Sequence, residues 1–295
     1  WDAFLEDEDM PDFSENLMDD YMNNNKIANN DDIQPPKCSD IYISTKTKIG
    51  YLNSSVNLSD IFWNINVMDY STVGEGVVKK QMKFISHTQE ELDILRGNLN
   101  NCDYIDELII SHIDNPGGRI KYKDVRKISI GLCKKDIISY RCKKKSAFYN
   151  CFVLIFRVFH DAIYNEVHVK VFNTGKLEIP GIKSDTLLSK VLDLLVGVCK
   201  PFMPNVNWMP NIETVLINSN FNCGFYINRA KLNSIIQKKY QLSCVYDPCS
   251  YPGIQCKFYY DTKKSIEEEQ SGILTNKEDQ DSFKKISFMI FRTGS

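Results

Sequence analysis

One unit appears twice in this chain, and a duplication restricts the possible folds more tightly than any compositional figure. Val169-Lys170-Val171-Phe172-Asn173-Thr174-Gly175-Lys176 returns as Phe288-Met289-Ile290-Phe291-Arg292-Thr293-Gly294-Ser295. Upstream, Ile41-Tyr42-Ile43-Ser44 through Gly50-Tyr51 returns as Val215-Leu216-Ile217-Asn218 through Gly224-Phe225, 174 positions later without a gap. Two copies in one order predict a pseudo-two-fold molecule, and duplex DNA has the same kind of symmetry.

Periodicity fills in the unit. Ile41, Ile43, Thr45, Thr47 and Ile49 alternate with Tyr42, Ser44, Lys46 and Lys48, which predicts a strand with the first set buried. In the second copy Val215, Ile217, Ser219, Phe221 and Cys223 take the buried set. Helices are expected after each strand, over Leu58–Met68 and Asn228–Tyr240. A hairpin follows over Phe148–Val158 and Glu166–Phe172, then a turn at Thr174-Gly175, a strand through Leu177-Glu178-Ile179-Pro180, and a helix Asp185–Val198 capped by Ser184. The second copy supplies Tyr251–Tyr260, a polar loop at 262–283 and Ile286–Phe291. Residues 69–147 have no counterpart. There Thr88–Leu99 and Tyr104–Ile113 read as helices, followed by an Asn115-Pro116-Gly117-Gly118 turn and a basic run of Lys134, Lys135, Arg141 and Lys143–Lys145. An insertion of that length predicts a lobe beside the sheet.

The formal charge of -2 conceals an asymmetry: residues 1–34 hold eleven Asp or Glu against one Lys, leaving a basic body. A basic body with an acidic tail points to polyanion binding plus an interaction tail. The tail, 1–36, is too polar to build a core and reads as disordered. The chain opens on Trp1 and closes on a turn motif with no strand after it, so a fragment of a longer protein is expected. Ten cysteines without C-x-x-C spacing read as free thiols in a reducing, intracellular setting, and no stretch is long and apolar enough for a membrane span. Chemistry-bearing clusters are missing: four isolated histidines, no phosphate-loop Lys-Ser/Thr after Gly117-Gly118, and no metal-ligand spacing. Neither an enzyme, a cofactor, a metal nor a small-molecule substrate is expected.

Strand, helix, antiparallel hairpins and a long helix, all duplicated, resemble the TATA-binding-protein family. Ile41-Tyr42-Ile43-Ser44-Thr45 resembles that family's opening strand. Tyr246-Asp247-Pro248 through Tyr251-Pro252-Gly253-Ile254 is similar to its Tyr-Glu-Pro…Phe-Pro-Gly-Leu segment. Phe172-Asn173-Thr174-Gly175-Lys176 with Gly181 and Lys183-Ser184 is similar to its Phe-x-Ser-Gly-Lys…Gly-Ala-Lys-Ser. The insertion and the run Lys143 through Val153 resemble the forms carried by large DNA viruses. The implied fold is α+β: a duplicated saddle, a curved antiparallel sheet with helices on its convex face. Repeat 1 would span 37–200 and repeat 2 the range 205–295, C-terminally incomplete.

The resemblance also implies a function: a transcription initiation factor whose concave sheet binds an AT-rich promoter in the minor groove. It would recruit a B-type general factor and RNA polymerase, at a viral replication site or packaged in the virion. Aromatic wedges would open base steps, and Phe172 and Phe291, with Tyr251 beside the latter, take those positions. Asn218 and Asn220 stand near the family's paired Asn readers without matching them. Lys46, Lys48, Arg157, Lys170, Lys176 and Lys257 are the expected phosphate contacts. Glu178 and Pro180 replace the family's Val and Thr, and a carboxylate on that face repels a polyanion. This leaves open a second function, a protein-interaction scaffold that has lost sequence-specific DNA binding.

Overall fold

The computed structural model describes residues 36–100, 102–138, 148–265, 267–274 and 282–295. The acidic segment 1–35 and the basic residues Arg141 and Lys143–Lys145 fall outside them. The chain is α+β and divides into a larger unit, Asp40–Phe221, and a smaller one built on Asn222–Ser295.

In the larger unit the elements run β1 (Tyr42–Tyr51), α1 (Leu58–Asn64), β2 (Gly76–Ser86), α2 (Gln89–Leu99), β3 (Ile105–Asp114), β4 (Tyr122–Gly131), α3 (Lys134–Ile138), β5 (Cys151–His160), β6 (Ile163–Phe172), β7 (Lys176–Pro180), α4 (Asp185–Cys199) and β8 (Glu213–Asn220). The eight strands form one antiparallel sheet in the order β3-β4-β2-β5-β6-β7-β1-β8. Helices α1, α2 and α4 cover one face. Leu188, Val191, Leu192 and Leu195 of α4 share a core with Phe152, Leu154 and Phe156 of β5 and with Val167, Val169 and Val171 of β6. Each such side chain contributes about 1.5–3 kcal/mol by leaving water. Ser184 caps α4 as expected, its hydroxyl accepting the Leu187 amide; Thr88 does the same for α2 with Glu91.

Three expectations give way. Tyr104–Ile113 is a strand rather than a helix: β3 pairs along its length with β4. Its β-branched Ile105, Ile109, Ile110 and Ile113 favour a pleated surface, and that preference outweighs the helix-like spacing of its acids. The insertion is accordingly no separate lobe, because β2, β3 and β4 widen the sheet itself. The face of β1 is also reversed. Lys48 stands opposite core residue Ile179, and Ile49 opposite Glu178, so the lysine side of β1 is the helix-bearing side. Alternation shows that a strand has two faces without showing which one is covered. On β8, Ile217 keeps the expected helix-bearing side, opposite Lys46, but is 57% exposed, and Val215, at a shift in the register, is 54% exposed.

The smaller unit contains α5 (Arg229–Lys238), β9 (Ser243–Val245), β10 (Ile254–Asp261) and β11 (Phe283–Ile290), with strand order β11-β10-β9. Its core is small: Ile236, Cys244, Ile254 and Cys256, flanked by Leu232, Leu242, Tyr246 and Ile290.

Both Phe-x-Thr-Gly sequences form a turn of the same construction. In the larger unit the Gly175 amide donates to the Phe172 carbonyl, and the carbonyls of Gly175 and Asn173 accept the amides of Leu52 and Val56. In the smaller unit the Gly294 amide donates to the Phe291 carbonyl, and the carbonyls of Gly294 and Arg292 accept the amides of Cys223 and Ile227. The two glycines have φ of +83° and +87°. The segment bonded to each turn leads into a helix with Asn at the N-cap position, Asn57 at φ -76°, ψ 99° and Asn228 at φ -75°, ψ 98°, of which only Asn228 accepts a side-chain cap bond. Cys223, Ile227 and Asn228 lie 171 positions after Leu52, Val56 and Asn57, three fewer than the offset of the sequence match.

Candidate nucleic-acid interface

Residues directly opposite in an antiparallel ladder share a face, so pairing assigns the side of the larger sheet away from α1, α2 and α4. Across it run Ser129, Gln81, Val153, Lys170, Glu178 and Ile49, one from each of six neighbouring strands. Phe172 is on this face, opposite Cys151 and half-buried, with Lys176 Nζ 5.9 Å from its ring centre. Phe152 points the other way into the core, as expected. Asn218 reaches the same face opposite Thr45. Its carbonyl accepts the Ser44 hydroxyl at 3.1 Å, while Asn220, opposite Tyr42, is half-buried.

Much of this face is already occupied by the chain. Arg157, expected to touch phosphate, is buried. Its guanidinium donates to the carbonyls of Thr72 and Tyr70 at 2.9 and 3.0 Å and lies 4.3 Å from the Tyr70 ring centre. It ties the 66–75 segment down instead of facing solvent. From the other side α3 packs in: Lys79 Nζ meets both Asp136 carboxylate oxygens at 2.8 Å, and the Lys134 amide donates to Glu166 at 2.8 Å. Cys133, Tyr70 and Met68 close over Ile155 in a small apolar cluster. Burial alone raises the Asp136 pKa, but the bonds from Lys79 and Cys133 outweigh it and leave the carboxyl below its ordinary range.

Other cations of this sheet are also engaged. Lys83, only 6% exposed, lies 3.7 Å beneath the Tyr149 ring centre, and its cross-strand neighbour is Lys127. Burial, then the nearby Lys79 charge, pushes the Lys127 pKa down. Lys170 pairs with Glu178 at 2.6 Å, with the Phe148 ring 5.6 Å away. Lys48 and Lys46 belong to the opposite face, where Lys48 holds Asp185 at the start of α4 at 3.0 Å. That bond keeps the Asp185 carboxyl below its usual pKa. Of the six expected phosphate contacts in this unit and the next, Arg157 is buried, Lys170 is paired with a carboxylate, and Lys46 and Lys48 face the helices. Nothing in the sequence marks the covering residues: Asp136 is a lone acid in a lysine run, and Tyr149 lies within the Lys143-through-Val153 motif.

The face of the smaller sheet away from α5 is different. Gln255, Lys257 and Tyr259 of β10 stand opposite Met289, Ser287 and Lys285 of β11, whereas Ile254 and Cys256 point at the helix. Lys257 is exposed. At the end of these strands the rings of Tyr251 and Phe291 come together, centroids 6.0 Å apart and tilted by 58°. Gly253 makes room for both; a Cβ there would sit 3.0 Å from the Tyr251 ring and 3.1 Å from that of Phe291. Arg229 donates to the Pro252 carbonyl and lies 5.2 Å from the Tyr246 ring centre, which pins the loop that carries Tyr251.

Among the described residues no three His, Cys, Asp or Glu side chains are placed to hold a metal ion, and no helix is long and apolar enough to cross a membrane. Neither a protein-family model nor a curated protein sequence matches this chain.

Proposed function

We propose that this chain is a TATA-binding-protein-like transcription factor that grips duplex DNA chiefly through the smaller unit, with Tyr251 and Phe291 as the wedge. The observation that carries the reading is that ring pair, held at the end of a strand face whose side chains include the exposed Lys257. Two half-buried rings beside a cationic strand suit insertion between base pairs of a polyanion.

Element order supports a duplicated fold. The series β1, α1, β2, β5, β6 in the larger unit is matched by β8, α5, β9, β10, β11, and the ladder β2-β5-β6 by β9-β10-β11. The paired turns add corresponding backbone hydrogen bonds, and Asn57 and Asn228 take equivalent positions with nearly the same backbone angles. Recruitment of a B-type factor and RNA polymerase, and an origin in a large DNA virus, rest on the family resemblance. The covered face of the larger sheet and the Lys170–Glu178 pair favour a second reading, a protein-interaction scaffold.

Fluorescence anisotropy with AT-rich and GC-rich duplexes across a salt series separates the two. DNA binding through the smaller unit predicts an AT preference and a roughly tenfold or larger loss in Phe291→Ala. Lys257→Ala should lower the salt slope by about 1. Phe172→Ala should cost little. No binding to either duplex at low salt would refute the DNA reading and leave the scaffold.

A further inference from the structure

The core of the smaller unit is unusual in that two of its four buried side chains are thiols. Cys244 of β9 and Cys256 of β10 stand directly opposite each other in the antiparallel ladder. Both point toward α5, so their side chains leave the sheet on the same side, and the two thiols interact directly. Cross-strand neighbours of this kind have Cβ atoms about 4.5–5.5 Å apart, near the span a disulfide bridges. A third polar group completes the site: the Cys244 thiol donates to Asn233 Oδ1 of α5 at 3.1 Å. Both cysteines are free thiols in this structure.

We propose that Cys244 and Cys256 form a reversible disulfide site, oxidised by small-molecule disulfides of the glutathione class, that staples the smaller unit. The argument begins with size. A sheet of three strands and one helix around four buried side chains falls in the range where small units depend on cross-links. Closing the bond shortens the free chain between β9 and β10, a loop that includes Tyr251, and restricts the unfolded ensemble.

The chemistry balances without a metal. The thiolate of one cysteine attacks the small disulfide, forming a mixed disulfide and releasing one small thiolate. The second cysteine loses its proton to solvent, and its thiolate attacks the protein-bound sulfur. The Cys244–Cys256 bond forms and a second small thiolate leaves. Two electrons pass from the protein thiols to the reagent, which ends as two reduced thiols. Burial makes the first step slow. It raises the ordinary pKa of both thiols, that of Cys256 to about 12, with the Cys244 sulfur adding to the rise. Exchange therefore proceeds through local opening of this small core, and the finished bond is shielded from reduction until the unit opens again.

The test uses the full chain in a series of reduced and oxidised glutathione mixtures, quenched with acid, alkylated, digested and read by mass spectrometry. The expected product joins the peptides of Cys244 and Cys256 with the loss of about 2 Da, forms fully before any link involving buried Cys199, and disappears with dithiothreitol. Cys249→Ala, which alters only the exposed cysteine between the two, should leave the link in place. Oxidation should also raise the thermal midpoint of the smaller unit by several degrees. The proposal is overturned if Cys244 and Cys256 remain alkylatable while Cys38 and Cys249 carry glutathione. It is equally overturned if the link that forms joins Cys249 to either of them.

Discussion

The turn glycines allow the sharpest test of the fold, because one kind of substitution should have opposite effects at two kinds of site. Gly175 has φ +83°, a conformation that costs a residue with a Cβ about 1–2 kcal/mol. A Cβ at Gly175 would also overlap the Ser54 carbonyl oxygen, which is backbone and cannot swing aside. Relieving an overlap of that kind typically adds about 1–3 kcal/mol. Gly175→Ala should therefore cost roughly 2–5 kcal/mol, a large share of a total of about 5–15. Gly294 repeats the arrangement, with φ +87° and the Phe225 carbonyl in the way, so Gly294→Ala should cost a similar amount in the smaller unit. Gly97 and Gly197 lie in α2 and α4 with nothing near the position of a Cβ, so alanine there should stabilise by about 0.5–1 kcal/mol each. Urea unfolding followed by tryptophan fluorescence reads the larger unit, where Trp63 and Trp208 are half-buried. At a slope of about 2 kcal/mol per M the Gly175→Ala midpoint should fall by about 1–2.5 M. Hydrogen exchange of β10 and β11 amides reads Gly294→Ala. If Gly175→Ala stayed within about 0.5 kcal/mol of wild type, the account of the turn would be wrong.

Two further perturbations follow from buried charges. Lys80 is buried, with Nζ 2.7 Å from the carbonyls of both Phe62 and Ile65 at the end of α1, and burial lowers its pKa to about 8. The folded state gives up this proton before the unfolded state does, so the cost of burying the charge is fully present below pH 8 and relieved as pH rises toward 10.5. Wild-type stability measured relative to Lys80→Met should climb across that window, and a flat difference would refute the assignment. Asp124, 1% exposed, accepts two bonds from Arg126 at 2.6 and 3.0 Å and approaches His112 Nδ1 at 2.7 Å. Asp124→Ala strands the buried guanidinium with Glu107 alone and should cost about 3–5 kcal/mol by urea unfolding. The double replacement Asp124→Leu with Arg126→Leu should recover much of that loss, and failure to recover would locate the cost elsewhere.

Helices α1, α2, α4 and α5, the β5–β6 hairpin and both Phe-x-Thr-Gly turns are legible because each leaves a local mark: an apolar stripe or cap residue, an alternation, a glycine where only positive φ fits. Helix α3, by contrast, reads only as part of a basic run. The α+β class followed from those marks. The polarity of β1 is not legible, since the alternation of Lys46, Thr47, Lys48 and Ile49 is equally consistent with either face being covered. Only the pairing of Lys48 with Ile179, and the long lysine stem reaching Asp185, settles it. β3 reads as a helix from sequence because its acids and isoleucines also fit a helical spacing, whereas the strand exists through its long-range pairing with β4. The candidate site fared similarly. Tyr251 and Phe291 were identified from a motif and do meet, whereas Arg157 carried no sequence sign that its charge would be consumed by the carbonyls of Tyr70 and Thr72.

The same accounting bears on where a polyanion would be met. A lysine contributes to phosphate binding only if its charge is not already compensated, because breaking an existing close pair offsets the gain. On the larger sheet Lys79 has Asp136, Lys170 has Glu178, Arg157 has two carbonyls, and Lys83 is sealed under Tyr149. Freeing Lys79 and Arg157 would require displacing α3 and the 66–75 segment, along with the apolar contacts of Ile155, Cys133 and Tyr70. On the smaller sheet the exposed Lys257 and the Tyr251–Phe291 pair need no such rearrangement. Under the proposed reading, a duplicated DNA-binding fold with one side covered in this way should engage DNA asymmetrically. Its footprint would be centred on the side of the element that meets Phe291, and a hydroxyl-radical footprint symmetric about the element would contradict that expectation.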